Sequence, residues 1–156
     1  MKALVISDTH GNTRRAFIAH TQAEPVDVII HLGDGCADAE LLRVALDVPV
    51  ISVAGNCDPV SNVPRECLWE CEGKRILLTH GDAYQVKSGL SKLQRRADEI
   101  GADAVLYGHT HVGRADSCAG LQLINPGTLA NHGSHHSYAV LTITPEGISS
   151  QHFTVE

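Results

Sequence analysis

The chain has 156 residues, enough for one ordinary domain with a real core and too few for an additional lid domain. A hydrophobic share of 43% beside a charged share of 19% belongs to a soluble globular protein, and no apolar run approaches the ~20 residues needed to cross a bilayer. A formal charge of −6 with no Lys/Arg run argues against an extended grip on a nucleic-acid backbone.

In chain order, the Val/Ile/Leu-rich run at residues 3–7 predicts a first strand, and residues 13–23 predict a helix that stops before Pro25. A strand over 26–32, a helix over 38–46 and a strand over 48–53 follow. Further strands are predicted over 75–79 and 104–107, separated by a helix over 90–100 that ends at Gly101. The first half therefore reads βαβα and implies a mainly parallel sheet. Cys67, Trp69 and Cys71 alternate as one buried strand face would. Beyond Arg114 the texture changes to short runs at 121–125, 138–144 and 148–155, with a turn signal at Pro145-Glu146-Gly147, which predicts antiparallel strands. No repeat or linker interrupts the chain, so residues 1–156 read as one domain whose second half packs onto the first.

The apolar start of the chain meets Ser7-Asp8 too soon to be a signal peptide, which makes the cytoplasm the expected location. Five cysteines with no Cys-x-x-Cys pair argue against both a disulfide framework and a cysteine zinc knuckle. Ten histidines are the compositional oddity, and they point to metal chemistry.

Each of the five apolar strands of residues 3–107 runs into a short polar motif. These are Asp8-Thr9-His10-Gly11, Gly33-Asp34, Gly55-Asn56-Cys57-Asp58, His80-Gly81-Asp82 and Gly108-His109-Thr110-His111. In an open α/β sheet the carboxyl ends of parallel strands share one edge, so these motifs are expected to converge there. Imidazole nitrogens, carboxylate oxygens and one carboxamide suit Mn²⁺, Zn²⁺, Fe²⁺ or Ni²⁺ without a thiolate.

Taken in order, the motifs resemble the calcineurin-like metallophosphoesterase superfamily, with its Asp-x-His, Gly-Asp, Gly-Asn-His-Asp, His and Gly-His-x-His pattern. Asn125-Pro126-Gly127-Thr128 is similar to a segment of its small single-domain bacterial and archaeal phosphodiesterases. The resemblance implies an α/β fold, the metallophosphoesterase-type α-β-β-α sandwich of two mixed sheets flanked by helices. It also implies two divalent ions, Mn²⁺ foremost with Ni²⁺, Zn²⁺, Fe²⁺ or Mg²⁺ as alternatives. Asp8, His10, Asp34 and His111 would hold one, and Asp34, Asn56, His80 and His109 the other, with Asp34 bridging. The implied activity is hydrolysis of a small phosphoester, a diester before a monoester, by a hydroxide bridging the ions. Asp34, Asn56, Cys57, Asp58 and His109 would carry the catalytic roles. With both ions present, Asp8 and Asp34 leave a net charge of about +2, which explains how an acidic chain attracts a phosphodiester.

Cys57 departs from the pattern. It stands where larger relatives have a histidine that contacts the scissile phosphate and protonates the leaving group, and a thiol of pKa ~8.5 is a poorer donor. Outside the motifs, His20 and His152 read as packing or surface residues, and Cys36 and Cys118 as inert. His31 reads as ordinary core or as a support for the site. His132, His135 and His136 read as a solvated turn, and Asn12 as a helix cap ahead of a phosphate contact. Asp58 and Asp82 suit turns, with the orientation of a metal-bound imidazole as the second reading of Asp58.

Two other functions compete. One is a non-catalytic interaction module, because a retromer subunit resembles the family and serves mainly as a scaffold. The other is a phosphomonoesterase or nucleotidase. All seven implied ligands are present, which favours an enzyme. No membrane partner is expected, and a homo-oligomer is left open.

Overall fold

The computed structural model describes residues 1–59 and 62–155. Its elements run β1 (Lys2–Ile6), α1 (Thr13–Ala23), β2 (Val28–His31), α2 (Cys36–Ala45), β3 (Val50–Ser52), β4 (Glu66–Cys71), β5 (Lys74–Thr79), a 3-10 turn (Asp82–Tyr84), α3 (Ser91–Ile100), β6 (Ala104–Leu106), β7 (Arg114–Cys118), β8 (Leu121–Asn125), β9 (Ser137–Thr144) and β10 (Gly147–Thr154). The strands form two mixed sheets, ordered β10-β9-β1-β2-β3 and β4-β5-β6-β8-β7.

Strand alternation explains the layers. Along β1, Ala3 and Val5 point one way and Leu4 and Ile6 the other, and all four are fully buried. Ala3, Val5 and Ile30 of the first sheet meet Ile76, Leu78 and Leu106 of the second in a core between the sheets. Leu4, Ile6 and Ile29 pack outward against Ala16, Ala19 and Leu42 of α1 and α2. Leu77, Val105 and Leu123 do the same against Leu93 and Ala97 of α3. Both faces of the central strands are covered, which is why their sequences read as continuous apolar runs. The expected α-β-β-α sandwich is thus the observed one.

Two expectations need correction. The five motif-bearing strands do not share one sheet: β1, β2 and β3 lie in the first and β5 and β6 in the second. Crossover helices enforce parallel pairing within each set, but two buried faces per strand leave room for a second sheet behind the first. The segment at 121–125 was also expected to pair only antiparallel. Instead β8 runs parallel to β6, with Val105 opposite Leu123, and antiparallel to β7 alone. The left-handed residues Ala119 and Gly120 turn β7 back as a hairpin, which inserts β8 between β6 and β7. Because β7, Arg-Ala-Asp-Ser-Cys, is a mostly exposed edge strand, it carries no apolar alternation to announce it. The strands β9 and β10 pair antiparallel as expected, and β9 docks on β1, so the second half does pack onto the first.

Candidate metal centre

The motif loops meet at one end of the sandwich, where main-chain hydrogen bonds tie them together. The Asp8 N–H donates to the Gly33 carbonyl (3.0 Å), the His10 N–H to the Asp34 carbonyl (3.0 Å), and the Gly108 N–H to the His80 carbonyl (2.9 Å). The loops are also strained. Asp8, His10, Asp34, His109 and His111 all have φ between 45° and 68°, a left-handed conformation unusual for residues with a side chain. Such conformations cost of order 1–3 kcal/mol each and persist where surrounding structure imposes them, typically at functional sites.

Asp8 is fully buried and Asp34 nearly so. His111 Nε2 lies 3.0 Å from Asp8 Oδ1, and His10 Nε2 lies 3.8 Å from the same oxygen and 3.6 Å from Asp34 Oδ2. His80 Nε2 is 3.3 Å from Asp34 Oδ2, and His109 Nδ1 is 3.2 Å from His80 Nε2. Two groups could each hold an ion, Asp8/His10/His111 and Asp34/His80/His109, with the donor atoms of each within 4.8 Å of one another. His10 also reaches Asp34 and Cys57 in a third such group, so the two sets adjoin.

The donor chemistry fits divalent cations. Among the described residues, Asp8 and Asp34 form ion pairs with imidazoles only, and no Lys or Arg offsets two buried carboxylates. His80 Nδ1 lies 2.8 Å from the Leu32 carbonyl, which can only accept, so that nitrogen carries the proton. In the neutral ring Nε2 is then a bare lone pair aimed at an Asp34 oxygen and a second imidazole nitrogen. Without metal a second proton on Nε2 satisfies this arrangement, and a divalent cation would take that proton's place.

The same crowding shifts the metal-free acidities. Burial alone would raise Asp34, but hydrogen bonds from His80 and Cys57 hold it far below the carboxylate range. Asp8 follows the same pattern, lowered against burial by the His111 hydrogen bond and the charge of His80. His80 goes up, since Asp34 and Asp8 outweigh its desolvation. Burial and the neighbouring His80 push His109 down. Cys57 is exposed, and desolvation together with Asp34 raises its thiol, which keeps it protonated.

Asp58 performs a different task from the imidazole-orienting role considered for it. Its oxygens accept the backbone N–H groups of Asp34 (2.8 Å), Gly35 (2.9 Å), Cys36 (2.8 Å) and Gly55 (2.7 Å). It thereby caps α2 and clamps the Asp34 loop to the Gly55 loop; this is why its acidity rises despite burial. Asn56 is exposed, and its amide donates to Cys57 Sγ at 3.5 Å. Asn12 caps α1 by accepting from the Arg15 N–H, as expected.

His31 supports the site from below. Gly33 N–H donates to Nδ1 (3.2 Å), so Nε2 carries the proton and donates to Thr9 Oγ1 (3.0 Å), which in turn donates to Asp38. This buried relay joins the Asp8 and Asp34 loops and works only with a neutral ring, whose pKa burial lowers to about 4. Below the ordinary pKa of ~6.5 the unfolded chain therefore takes up a proton that the folded chain refuses. Stability is expected to be full above that pH and to fall by about 3 kcal/mol from this group as pH drops towards 4. Urea midpoints of metal-free wild type and His31→Gln, compared from pH 7 to 4, check it; identical slopes would count against it.

Several contributors were not read from the sequence. Ser7 Oγ donates to Asp8 Oδ2, Thr128 Oγ1 donates to the Asp8 carbonyl (2.9 Å), and Asn125 Nδ2 donates to the Gly108 carbonyl (3.0 Å). Asn125-Pro126-Gly127-Thr128 thus braces both ligand-bearing loops. The reading of His132 as part of a solvated turn also changes. Its ring is exposed, but its centroid lies 5.8 Å from that of His10 and 5.4 Å from that of His111. Arg15 holds the preceding chain through the Ala130 carbonyl (2.6 Å), and Asn12 binds Asn131 (2.9 Å). Only the folded loop brings this residue to the candidate ligands His10 and His111; spacing carries no sign of it.

Known proteins are similar to this chain in sequence and fold. The chain is 36% identical over 146 residues to the probable metallophosphoesterase YsnB of Bacillus subtilis, covering 92% of this chain and 85% of that protein. It is 29% identical over 167 aligned positions to the phosphodiesterase YfcE of Escherichia coli K12, covering 90% and 87%. A predicted phosphoesterase from Streptococcus pneumoniae superposes with a TM-score of 0.78 at 25% identity, over 99% of this chain and 97% of that one. Vps29 from Entamoeba histolytica, complexed with Zn²⁺, shares the fold with a TM-score of 0.78 at 20% identity over 99% of both chains. Residues 1–146 match the calcineurin-like phosphoesterase superfamily domain, and the chain belongs to that superfamily.

Proposed function

We propose that the protein is a phosphodiesterase acting on a small phosphoester with two divalent ions, Mn²⁺ foremost. The observation that carries this reading is the pair of adjoining donor sets, Asp8/His10/His111 and Asp34/His80/His109, built around carboxylates that no Lys or Arg neutralises among the described residues. Asp34 would be shared between the two ions, and the Asn56 carboxamide would join the second set. When bound, the ions supply Lewis acidity and lower the pKa of water for attack on phosphorus.

The remaining work falls to the chain. Asp58 keeps Asp34 in register through the backbone. The His31 relay and the Asn125–Thr128 brace stop the strained loops from relaxing. His132 stands beside His10 and His111, where its ring N–H would donate to a non-bridging phosphate oxygen. His132→Ala is expected to lower kcat/KM about ten-fold with metal content unchanged. Kinetics paired with elemental analysis check this, and loss of an ion instead would make His132 a ligand.

Cys57 leaves the leaving group without an imidazolium donor, so esters of acidic alcohols are the preferred substrates. Cys57→His is expected to accelerate esters with poor leaving groups by about 10²-fold and to flatten the dependence of rate on leaving-group pKa. An unchanged dependence would remove this role.

The decisive test is to strip the protein of metal, reload it with Mn²⁺, Ni²⁺, Zn²⁺ or Mg²⁺, and assay paired aryl mono- and diesters. Turnover that returns with metal and favours diesters is expected. The Vps29 likeness, which reflects fold alone, leaves a scaffold as the alternative, and metal-loaded protein that cleaves no phosphoester would favour it.

A further inference from the structure

Two hollows flank the Thr110–Gly113 loop, and their chemistry differs. One, of about 510 Å³, has Lys87 and Arg114 in its lining. The other, of about 370 Å³, opens beside His111 and is lined chiefly by Val112, His135, Ser137, His152 and Phe153, with no Lys, Arg, Asp or Glu among its lining residues. We propose that this second hollow seats one ester arm of the substrate, and that the arm is a flat, uncharged aromatic group of nucleobase size. The inference rests on the phosphoesterase reading and names the class of substrate it serves.

Position comes first. His111 is at once a wall of the hollow and the imidazole 3.0 Å from Asp8, so a phosphorus held at the donor sets would lie next to this opening. The opposite hollow, with its lysine and arginine, suits an anionic or solvated arm; the uncharged one suits a neutral arm. Four of its lining side chains are rings, His111, His135, His152 and Phe153, which favours a planar aromatic guest over an alkyl chain. Its volume falls in the range of small-molecule sites.

The aromatic wall is built in advance. Phe153 lies opposite Tyr138 across β9 and β10 and stacks on it, with centroids 5.5 Å apart and planes 21° from parallel. That contact fixes the ring while leaving 42% of the residue exposed. His152 is held by its Nε2–H donating to the Asn125 carbonyl at 2.7 Å, within the same brace that supports the ligand loops. Val112 is 58% exposed at the rim. Phe153 keeps an exposed face beyond its stack on Tyr138, and a ring laid between it and Val112 would cover apolar surface on both.

The test separates binding from turnover. Adenosine, which has no phosphate to hydrolyse, is titrated into the metal-loaded protein and its contacts are followed by saturation-transfer NMR. Saturable binding is expected, lost in Phe153→Ala and weakened in Val112→Ser, a loop position whose replacement leaves the fold intact. In parallel, both variants are expected to raise KM for a nucleoside 5′-aryl phosphodiester about ten-fold while kcat stays within about two-fold. Absence of adenosine binding, or a KM unmoved in both variants, would overturn the proposal. Protein that binds adenosine through Phe153 and cleaves no ester would defeat the phosphoesterase reading alone. Protein that turns over diesters with KM indifferent to both substitutions would defeat this one alone.

Discussion

Asp34→Asn is expected to abolish metal-dependent turnover, with kcat/KM falling by about 10³-fold or more. The carboxylate stands between both donor sets, 3.3 Å from His80 Nε2 and 3.6 Å from His10 Nε2, so its charge is the one that either ion would lose. A lost metal contact of several kcal/mol corresponds to a rate loss of that size. The amide preserves the shape and can still accept the Cys57 N–H that now lies 2.8 Å from Oδ1, so folding is expected to survive. Elemental analysis should show fewer than two ions per chain while circular dichroism is unchanged. Full metal content with normal turnover would remove Asp34 from the bridging position.

Gly55→Ala tests the same carboxylate from the other side, without changing any donor atom. A Cβ at residue 55 would lie 2.1 Å from Asp34 Oδ1 and 2.6 Å from the Asp34 backbone nitrogen, neither of which can yield without moving the loop. The loop is itself held by Asp58, whose Oδ2 accepts from both Gly55 and Asp34. Displacing a ligand by about 1 Å costs on the order of 10²-fold in rate, and overpacking of this kind typically costs about 1–3 kcal/mol of stability. Chemical denaturation and metal-titrated kinetics together check both effects. Gly108→Ala is the companion, since its Cβ would meet Ser7 Oγ at 2.0 Å and Asp8 Oδ2 at 2.7 Å. A Gly55→Ala protein with wild-type rates would show that Asp34 is not held as tightly as its contacts imply.

Much of the fold was legible because its strands are buried on both faces. Runs such as Ala3-Leu4-Val5-Ile6 and Val28-Ile29-Ile30 leave no other reading, and Asn12 and Gly101 mark helix ends by cap chemistry that is local to a few residues. The candidate ligands were legible for a related reason: polar residues placed straight after such strands have only the strand ends to occupy. The division of those strands between two sheets was not legible, because parallel pairing with a crossover looks the same in sequence whichever sheet receives the strand. Nor was β7, whose exposed residues need no apolar pattern to pair along an edge.

Sequence by itself determined the element types, the motif at each strand end and the donor chemistry, since these depend on periodicity and on the kinds of atoms that side chains carry. Tertiary structure alone decided how those donors gather into adjoining groups, that Asp58 binds backbone, and that His132 and Phe153 stand beside candidate ligands. The physical reason is distance. His132 reaches His10 only across a loop tied by Arg15 and Asn12, and contacts between residues more than a hundred positions apart leave no trace in local spacing.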